Sequence, residues 1–356
     1  CVFFLMPTLN INIFNLFVLL GSVQGFILAG LFLFSKKLNR KPNFFLALLL
    51  LSFSMVNLAN CLWDMGFSKQ QPLLSYLPLN WTLMIPFALY YFIQHLINPT
   101  YKLSVKEYLL VIPFAIQIIQ KLVQLYLYLT NTQLLLQWKP QFSLLVKALE
   151  ITAIFYCLVV FILSIRNINR FQKLLQNQFA EIEHRSLVWI KNILVKVALL
   201  LVLWIVPYVL ATIQNTSVNK YMYPLWIGMT IVVYWLGWSM FSRRDLFEYT
   251  PPEILQPAEP PSPPEPEIKK EKTTPEKWEH HYTELARLME EEKLYLDLDI
   301  SMSSLATKMQ LSSGYLSQII NQKNGLNFYD YINQYRVEEV KKKLNDPNYS
   351  HLSIYG

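Results

Sequence analysis

Seven stretches of roughly twenty mostly apolar residues, at about 11–34, 43–66, 74–97, 106–127, 142–165, 191–213 and 222–241, fill most of the first 250 positions. A helix needs about 20 such residues to cross the hydrocarbon of a bilayer. The hydrocarbon holds no water, so each segment must close its own backbone hydrogen bonds, and only helices and closed barrels can do that. Seven membrane-spanning helices are therefore expected. Only 15% of the 356 residues are charged, against about 25% in ordinary globular chains. The first stretch does not read as a signal peptide: no basic residue precedes it, and Lys36-Lys37 follow it like a stop-transfer flank. With Cys1 first and Met6 close behind, the recorded start is not assumed to be the biological one.

Charge is distributed unevenly. Residues 1–250 carry a net +12, residues 251–275 a net −2 and residues 276–356 a net −3, which together give the chain its +7. The positive excess belongs to the apolar part, so it is a membrane-flank signature and not a nucleic-acid footprint. Lys36, Lys37, Arg40 and Lys41 crowd the first loop. Arg166, Arg170, Lys173, Arg185 and Lys191 crowd the fifth, and Arg243-Arg244 follow the last segment. The second, fourth and sixth loops hold one basic residue each, Lys69, Lys139 and Lys220. The positive-inside rule then puts the N-terminus outside and the C-terminus in the cytoplasm. Trp63, Trp81, Trp138 and Tyr221 fall near outer ends, and Trp189 and Trp238 near inner ends, as interfacial belts do. In the fifth loop Ile168, Phe171, Leu175, Phe179 and Ile182 recur at three- to four-residue steps. They form an amphipathic helix that either lies on the membrane surface or extends a span inward and packs on the bundle.

Ionisable residues inside spans are costly and usually mark function. Asp64, Lys121, Lys147 and Glu150 all fall in the outer half of the expected bundle. They suggest a ligand pocket open to the outside, against the alternative of interfacial snorkelling with one structural ion pair. Lys196, near an inner end, reads as a snorkelling residue. Pro86, Pro113 and Pro207 imply kinks. Cys1, Cys61 and Cys157 are too few and too scattered for a disulfide framework or zinc site.

Residues 251–275 hold nine prolines in twenty-five positions, the composition of a polyproline II spacer. From Glu276 the pattern is soluble and helical. Tyr282, Leu285, Leu288 and Met289 share one face, opposite Glu290-Glu291-Glu292. The run SMSSLATKMQLSSGYLSQIINQK has the spacing of a helix-turn-helix. Leu305, Met309, Leu311, Leu316 and Ile319 supply the crossing, Ala306 the close approach, and Ser303 and Ser312 the N-caps. A third helix over about 327–344 carries Phe328, Tyr331, Ile332, Tyr335, Val337, Val340 and Leu344, and ends in Lys341-Lys342-Lys343.

The segment LSSGYLSQIINQKNGLNFYDYINQYRVEEVKKKL resembles the first helix-turn-helix and linker helix of AraC/XylS-type bacterial transcription regulators. The likeness lies in YLS, the following G-x-x-F and the Y-I-x-x-x-R spacing. The preceding LMEEEKLYLDLDISMSSLA is similar to a subclass in which this domain follows a seven-span membrane region. The resemblance covers about 280–356, and the membrane part by architecture alone. It implies a second helix-turn-helix starting near HLSIYG, so the chain is expected to be C-terminally truncated. It also implies that Ser313, Gly314, Ser317 and Gln318 face the major groove, and the helix turns the polar Asn321 outward with them. Arg336 is implied as a phosphate contact or a structural partner for an acidic residue, and Lys341, in the basic end of the third helix, is expected to meet a phosphate.

The expected fold class is all-α, a seven-helix membrane bundle (1–250), a linker (251–275) and a cytoplasmic helix-turn-helix domain (276–356). The expected function is a membrane-bound one-component transcription regulator. Its expected partners are promoter DNA, the lipid bilayer, a small-molecule or envelope signal and a second copy in a homodimer. No catalytic residues, cofactor or metal are expected. The alternative is a transporter or receptor whose helix-turn-helix binds protein. His280-His281 do not support a kinase reading, because no ATP-binding motif follows.

Overall fold

A computed structural model of the chain describes residues 9–34, 40–98, 101–182, 188–214, 216, 221–242 and 275–349. It is helical throughout the regular structure described, apart from one isolated bridge between Phe179 and Ser301. The basic residues Lys36, Lys37, Arg185, Lys220, Arg243 and Arg244, the proline-rich linker up to residue 274 and the HLSIYG tail lie outside the described residues.

Eleven of the described helices carry the account. They are α1 (Ile13–Phe34), α2 (Arg40–Asp64), α3 (Met84–Ile97), α4 (Ile112–Thr130), α5 (Lys139–Gln178), α6 (Val188–Gln214) and α7 (Tyr223–Ser242), followed by α8 (Pro275–Glu290), α9 (Met302–Lys308), α10 (Ser313–Asn324) and α11 (Phe328–Leu344). Among the described residues, α1, α2, α4, α5 and α6 are long and apolar enough to cross a membrane. The other two expected segments give shorter apolar helices, Met84–Ile97 and Tyr223–Leu236. The segment expected as a span over 74–97 is only half helical in this sense. Pro72 and Pro78 prevent a continuous α-helix, and a 3-10 turn over Pro72–Tyr76 and an irregular stretch take its place. Fourteen residues rise roughly 21 Å, short of a hydrocarbon core of about 30 Å.

The chain divides into two compact units, Cys1–Arg166 with Val188–Gln256, and Asn167–Leu187 with Pro257–Gly356. In the first, α1 packs on α2 and α7, and α2 on α3. Small residues make the first contact close. A Cβ at Gly21 would stand 2.4 Å from Thr230 Cγ2, and one at Gly25 would stand 2.0 Å from Ser54 Oγ. This is the small-residue packing that lets helices meet without a water-driven hydrophobic effect. Asn57 Nδ2 donates to Thr230 Oγ1 at 3.1 Å in the same buried layer. A Gly25→Val change should therefore force α1 off α2, seen as a fall in membrane-inserted protein. Gly30→Val, with nothing within 4 Å of its Cβ position, should leave that level unchanged.

The outward faces of α4, α5 and α6 expose Ile116, Ile119, Val123, Phe155, Val159, Val202 and Val206. Exposed apolar faces of this extent suit a bilayer as solvent. Trp63, Trp138 and Trp238 are exposed on the same unit; the Trp189 side chain lies outside the described residues. Lys196 sits with its Nζ 3.8 Å above the Trp235 ring, a cation–π contact that accounts for it within the protein. Of the three expected kinks, Pro86 and Pro113 fall in the first turns of α3 and α4, where a missing N–H costs nothing. Only Pro207 lies inside a helix, α6.

Of the expected amphipathic segment, Ile168, Phe171 and Leu175 lie at the end of α5, a single 40-residue helix, whereas Phe179 falls past it in the bridge to Ser301 and Ile182 is not helical. Ile168, Phe171, Leu175 and Phe179 are buried.

In the second unit Leu285, Leu288 and Met289 of α8, Met302, Leu305 and Ala306 of α9, Leu316, Ile319 and Ile320 of α10, and Phe328, Tyr331 and Ile332 of α11 form one core that also includes Ala180. The N-cap of α9 is Ser301, in a capping box with Ser304, and not the expected Ser303. Only Ser301 stands at the extended residue before the first helical turn. Ser312 caps α10 and accepts from Tyr315 N, as expected. Val337, Val340 and Leu344 in the second half of α11 remain exposed.

Candidate functional site

Helix α10 follows α9 after a four-residue turn, Met309 to Ser312, in which Gln310 takes a left-handed conformation (φ 56°). The turn is closed by Leu311 N donating to Ala306 O at 2.9 Å. Leu316, Ile319 and Ile320 hold one side of α10 in the core. That leaves Gly314, Gln318 and Asn321, at steps of four and three, as a single exposed stripe. Ser313 and Ser317 flank it half-buried. A Cβ at Gly314 would meet nothing within 4 Å and its φ is ordinary, so neither packing nor backbone geometry requires glycine there. Gly325 at the other end is different: its φ of 67° is the left-handed C-cap that ends α10. The stripe ends in side chains that can donate and accept hydrogen bonds, the chemistry needed to meet base edges.

Arg336 does not join that stripe. Its Nε donates to Tyr295 O at 2.7 Å and its Nη2 to Asp297 O at 2.8 Å. Nη1 lies 3.4 Å from Ala180 O and from Asn333 Oδ1. The guanidinium is thus occupied by backbone carbonyls. Its partners are carbonyl oxygens and not the acidic residue anticipated for a structural role, and four of its five N–H donors are engaged within the unit. It fastens both the 294–297 turn and the segment after α5 to α11. Ala180 N donating to Ile300 O at 3.4 Å strengthens the same junction.

Most cations of this unit are matched locally. Lys308 pairs with Glu292, Lys323 with Glu279, Lys341 with Glu338, and Arg287 with Glu284 and Glu291. The hydrogen bond from Lys308 holds the Glu292 carboxyl below the usual carboxylate range, and that from Arg287 does the same for Glu284. Lys341 is well exposed, and a surface pair of this kind holds little free energy, so it can exchange Glu338 for a phosphate.

The first unit contains a cavity of about 550 Å³ bordered by α2, α4, α5, α6, α7 and the turn before α3. Lys121 and Glu150 line it. Asp64 and Lys147, grouped with them on the sequence, do not. Asp64 instead accepts from Tyr223 OH at 2.6 Å and from Asn15 Nδ2 at 3.3 Å, tying the ends of α1, α2 and α7 together. Lys147 is exposed on α5, one helical turn before Glu150 and outside the cavity. Asp64 is thus a structural hub, and the pocket reading narrows to Lys121 and Glu150.

The sequence reading missed several residues that share this cavity: Gln117, Gln120, Trp204, Tyr208 and Trp226. Gln117, Gln120 and Lys121 follow at helical spacing within an apolar run, a signal that was legible. The aromatics were not distinguishable from lipid-facing ones until the helices were packed. Cys61 and Cys157 are free thiols, the first buried and the second half-buried in the cavity wall. Among the described residues no three His, Cys, Asp or Glu side chains converge as a metal site. No family model, curated protein or solved structure matches the chain.

Proposed function

We propose that this chain is a membrane-embedded one-component transcription regulator of the AraC/XylS type. In this reading the seven apolar segments, five of them helices long enough to span and two shorter, form a sensor with its N-terminus outside. The cytoplasmic unit reads promoter DNA through α9 and α10 as a helix-turn-helix, paired in a homodimer on two half-sites. The observation that carries the reading is the exposed polar stripe of Gly314, Gln318 and Asn321 on a helix whose opposite side is locked in a core. A helix presented this way can enter a major groove, and the bare backbone at Gly314 permits close approach. A signal shifts the output only if it binds two bundle states with different affinity.

The arrangement in the membrane has a direct test. A reporter active only in the cytoplasm and fused after residue 250 should be active, and one active only outside and fused at the N-terminus should also be active. Exchanged signals would reverse the proposed orientation. The reading as a whole is tested by DNA binding of the full-length protein: enrichment at discrete promoter sites supports it. Capture of a protein partner with no DNA enrichment would instead make the cytoplasmic unit an interaction module.

A further inference from the structure

The cavity holds two opposite charges, and neither is closed in an ion pair among the described residues. Lys121 Nζ donates to Ser75 O at 2.9 Å and makes no ion pair among the described residues. Glu150 accepts no hydrogen bond and makes no ion pair among the described residues; Lys147, one turn away and outside the cavity, acts on it only across space. The two belong to different helices and no salt bridge joins them. Gln117 adds a buried Oε1 that also lacks a donor. Charges held at membrane depth are costly unless something pairs with them, and here the open partners converge on one space. Trp204, Trp226 and Tyr208 stand in the same wall. Their rings offer an apolar surface and, for a cation, the negative face of the aromatic system. A volume of about 550 Å³ is within the ordinary range for a small-molecule pocket.

We propose that this cavity is a binding site for a zwitterionic amphiphile: an ammonium meets Glu150 and Gln117 Oε1, a carboxylate or phosphate meets Lys121, and an apolar body lies against the tryptophans. A simple anion would leave Glu150 facing like charge, and a simple cation would do the same to Lys121. A neutral apolar molecule would leave both unpaired. Two sources offer this chemistry, a short apolar peptide from outside the cell and a zwitterionic phospholipid from the bilayer. The inference rests on the reading of the bundle as the sensor, but binding can be measured without any promoter.

The test uses the full chain in a non-ionic maltoside detergent, titrated calorimetrically with leucyl-phenylalanine and, separately, with lysophosphatidylethanolamine. At least one should bind. N-acetylation of the bound probe, which removes its ammonium, should weaken it roughly tenfold to a hundredfold, the span of one charge-assisted hydrogen bond. Glu150→Gln should weaken the unmodified probe by a similar factor and abolish its advantage over the acetylated one. Lys121→Gln should do the same for the peptide and its C-terminal amide. Because the modified probes are tested on the unaltered protein, a variant that fails to fold does not blunt the test. Binding of the peptide alone assigns the ligand to the outside, and binding of the lysolipid alone assigns it to the bilayer. Equal affinity for free and acetylated probe, or no binding of either zwitterion, overturns the proposal. Binding without any change in promoter output would overturn the sensor reading and leave the site standing.

Discussion

Replacing Arg336 with alanine should destabilise the second unit by about 3 kcal/mol, because hydrogen bonds to a charged group contribute roughly 1.5–3 kcal/mol each. The two short bonds, 2.7 Å to Tyr295 O and 2.8 Å to Asp297 O, supply most of that. The two contacts at 3.4 Å add less. Hydrogen exchange on the full chain should show faster exchange over 294–301 and around Ala180, the segments that the guanidinium joins. Arg336→Lys should not rescue, since one ammonium cannot reproduce a fork that reaches separate carbonyls. If Arg336 instead met a phosphate, alanine would leave exchange unchanged and lower only DNA affinity, and lysine would restore much of it.

The second large effect concerns the exposed stripe of α10. Gly314→Phe should leave the fold intact, because the space around its Cβ position is open, and yet should abolish DNA binding by holding the helix off the groove. Gly314→Ala separates the two influences: it should raise helix stability by up to about 1 kcal/mol without raising affinity. Gln318→Ala should cost about 1–3 kcal/mol of discrimination at the base it reads. Lys341→Ala should weaken all sequences alike and reduce the salt slope by about 0.9. A Gly314→Phe protein that is folded and binds DNA with unchanged affinity would remove α10 from the interface.

Helical periodicity made the second unit legible in detail. Leu285, Leu288, Leu305, Ala306, Leu316 and Ile319 were all expected on inner faces and all are buried there. Caps were legible where one serine stood alone before a helix, as at Ser312, and misplaced in the run from Ser301 to Ser304, where three serines compete and only backbone geometry decides. In the first unit apolar composition located helices but not their lengths. Pro72 and Pro78 shorten the third segment, a local chemistry that a hydropathy window averages away. The four charges grouped by depth separated once rotation about each helix axis was known. Asp64 turns toward Asn15 and Tyr223, Lys147 turns outward, and Lys121 and Glu150 turn into the cavity. Depth follows from sequence position, but direction follows from packing against neighbours. The role of Arg336 was hidden for a similar reason. Its partners are backbone carbonyls some 40 and 156 residues away, and carbonyls leave no trace in a sequence.

The measurement that bears most directly on the central claim is a map of chromosomal binding by the full-length protein in its own cells, made beside the Gln318→Ala protein at equal membrane abundance. The account predicts discrete promoter-proximal sites for the unaltered protein, with weakened or redistributed occupancy for the variant. No enrichment above background, or identical occupancy for both proteins, would contradict it.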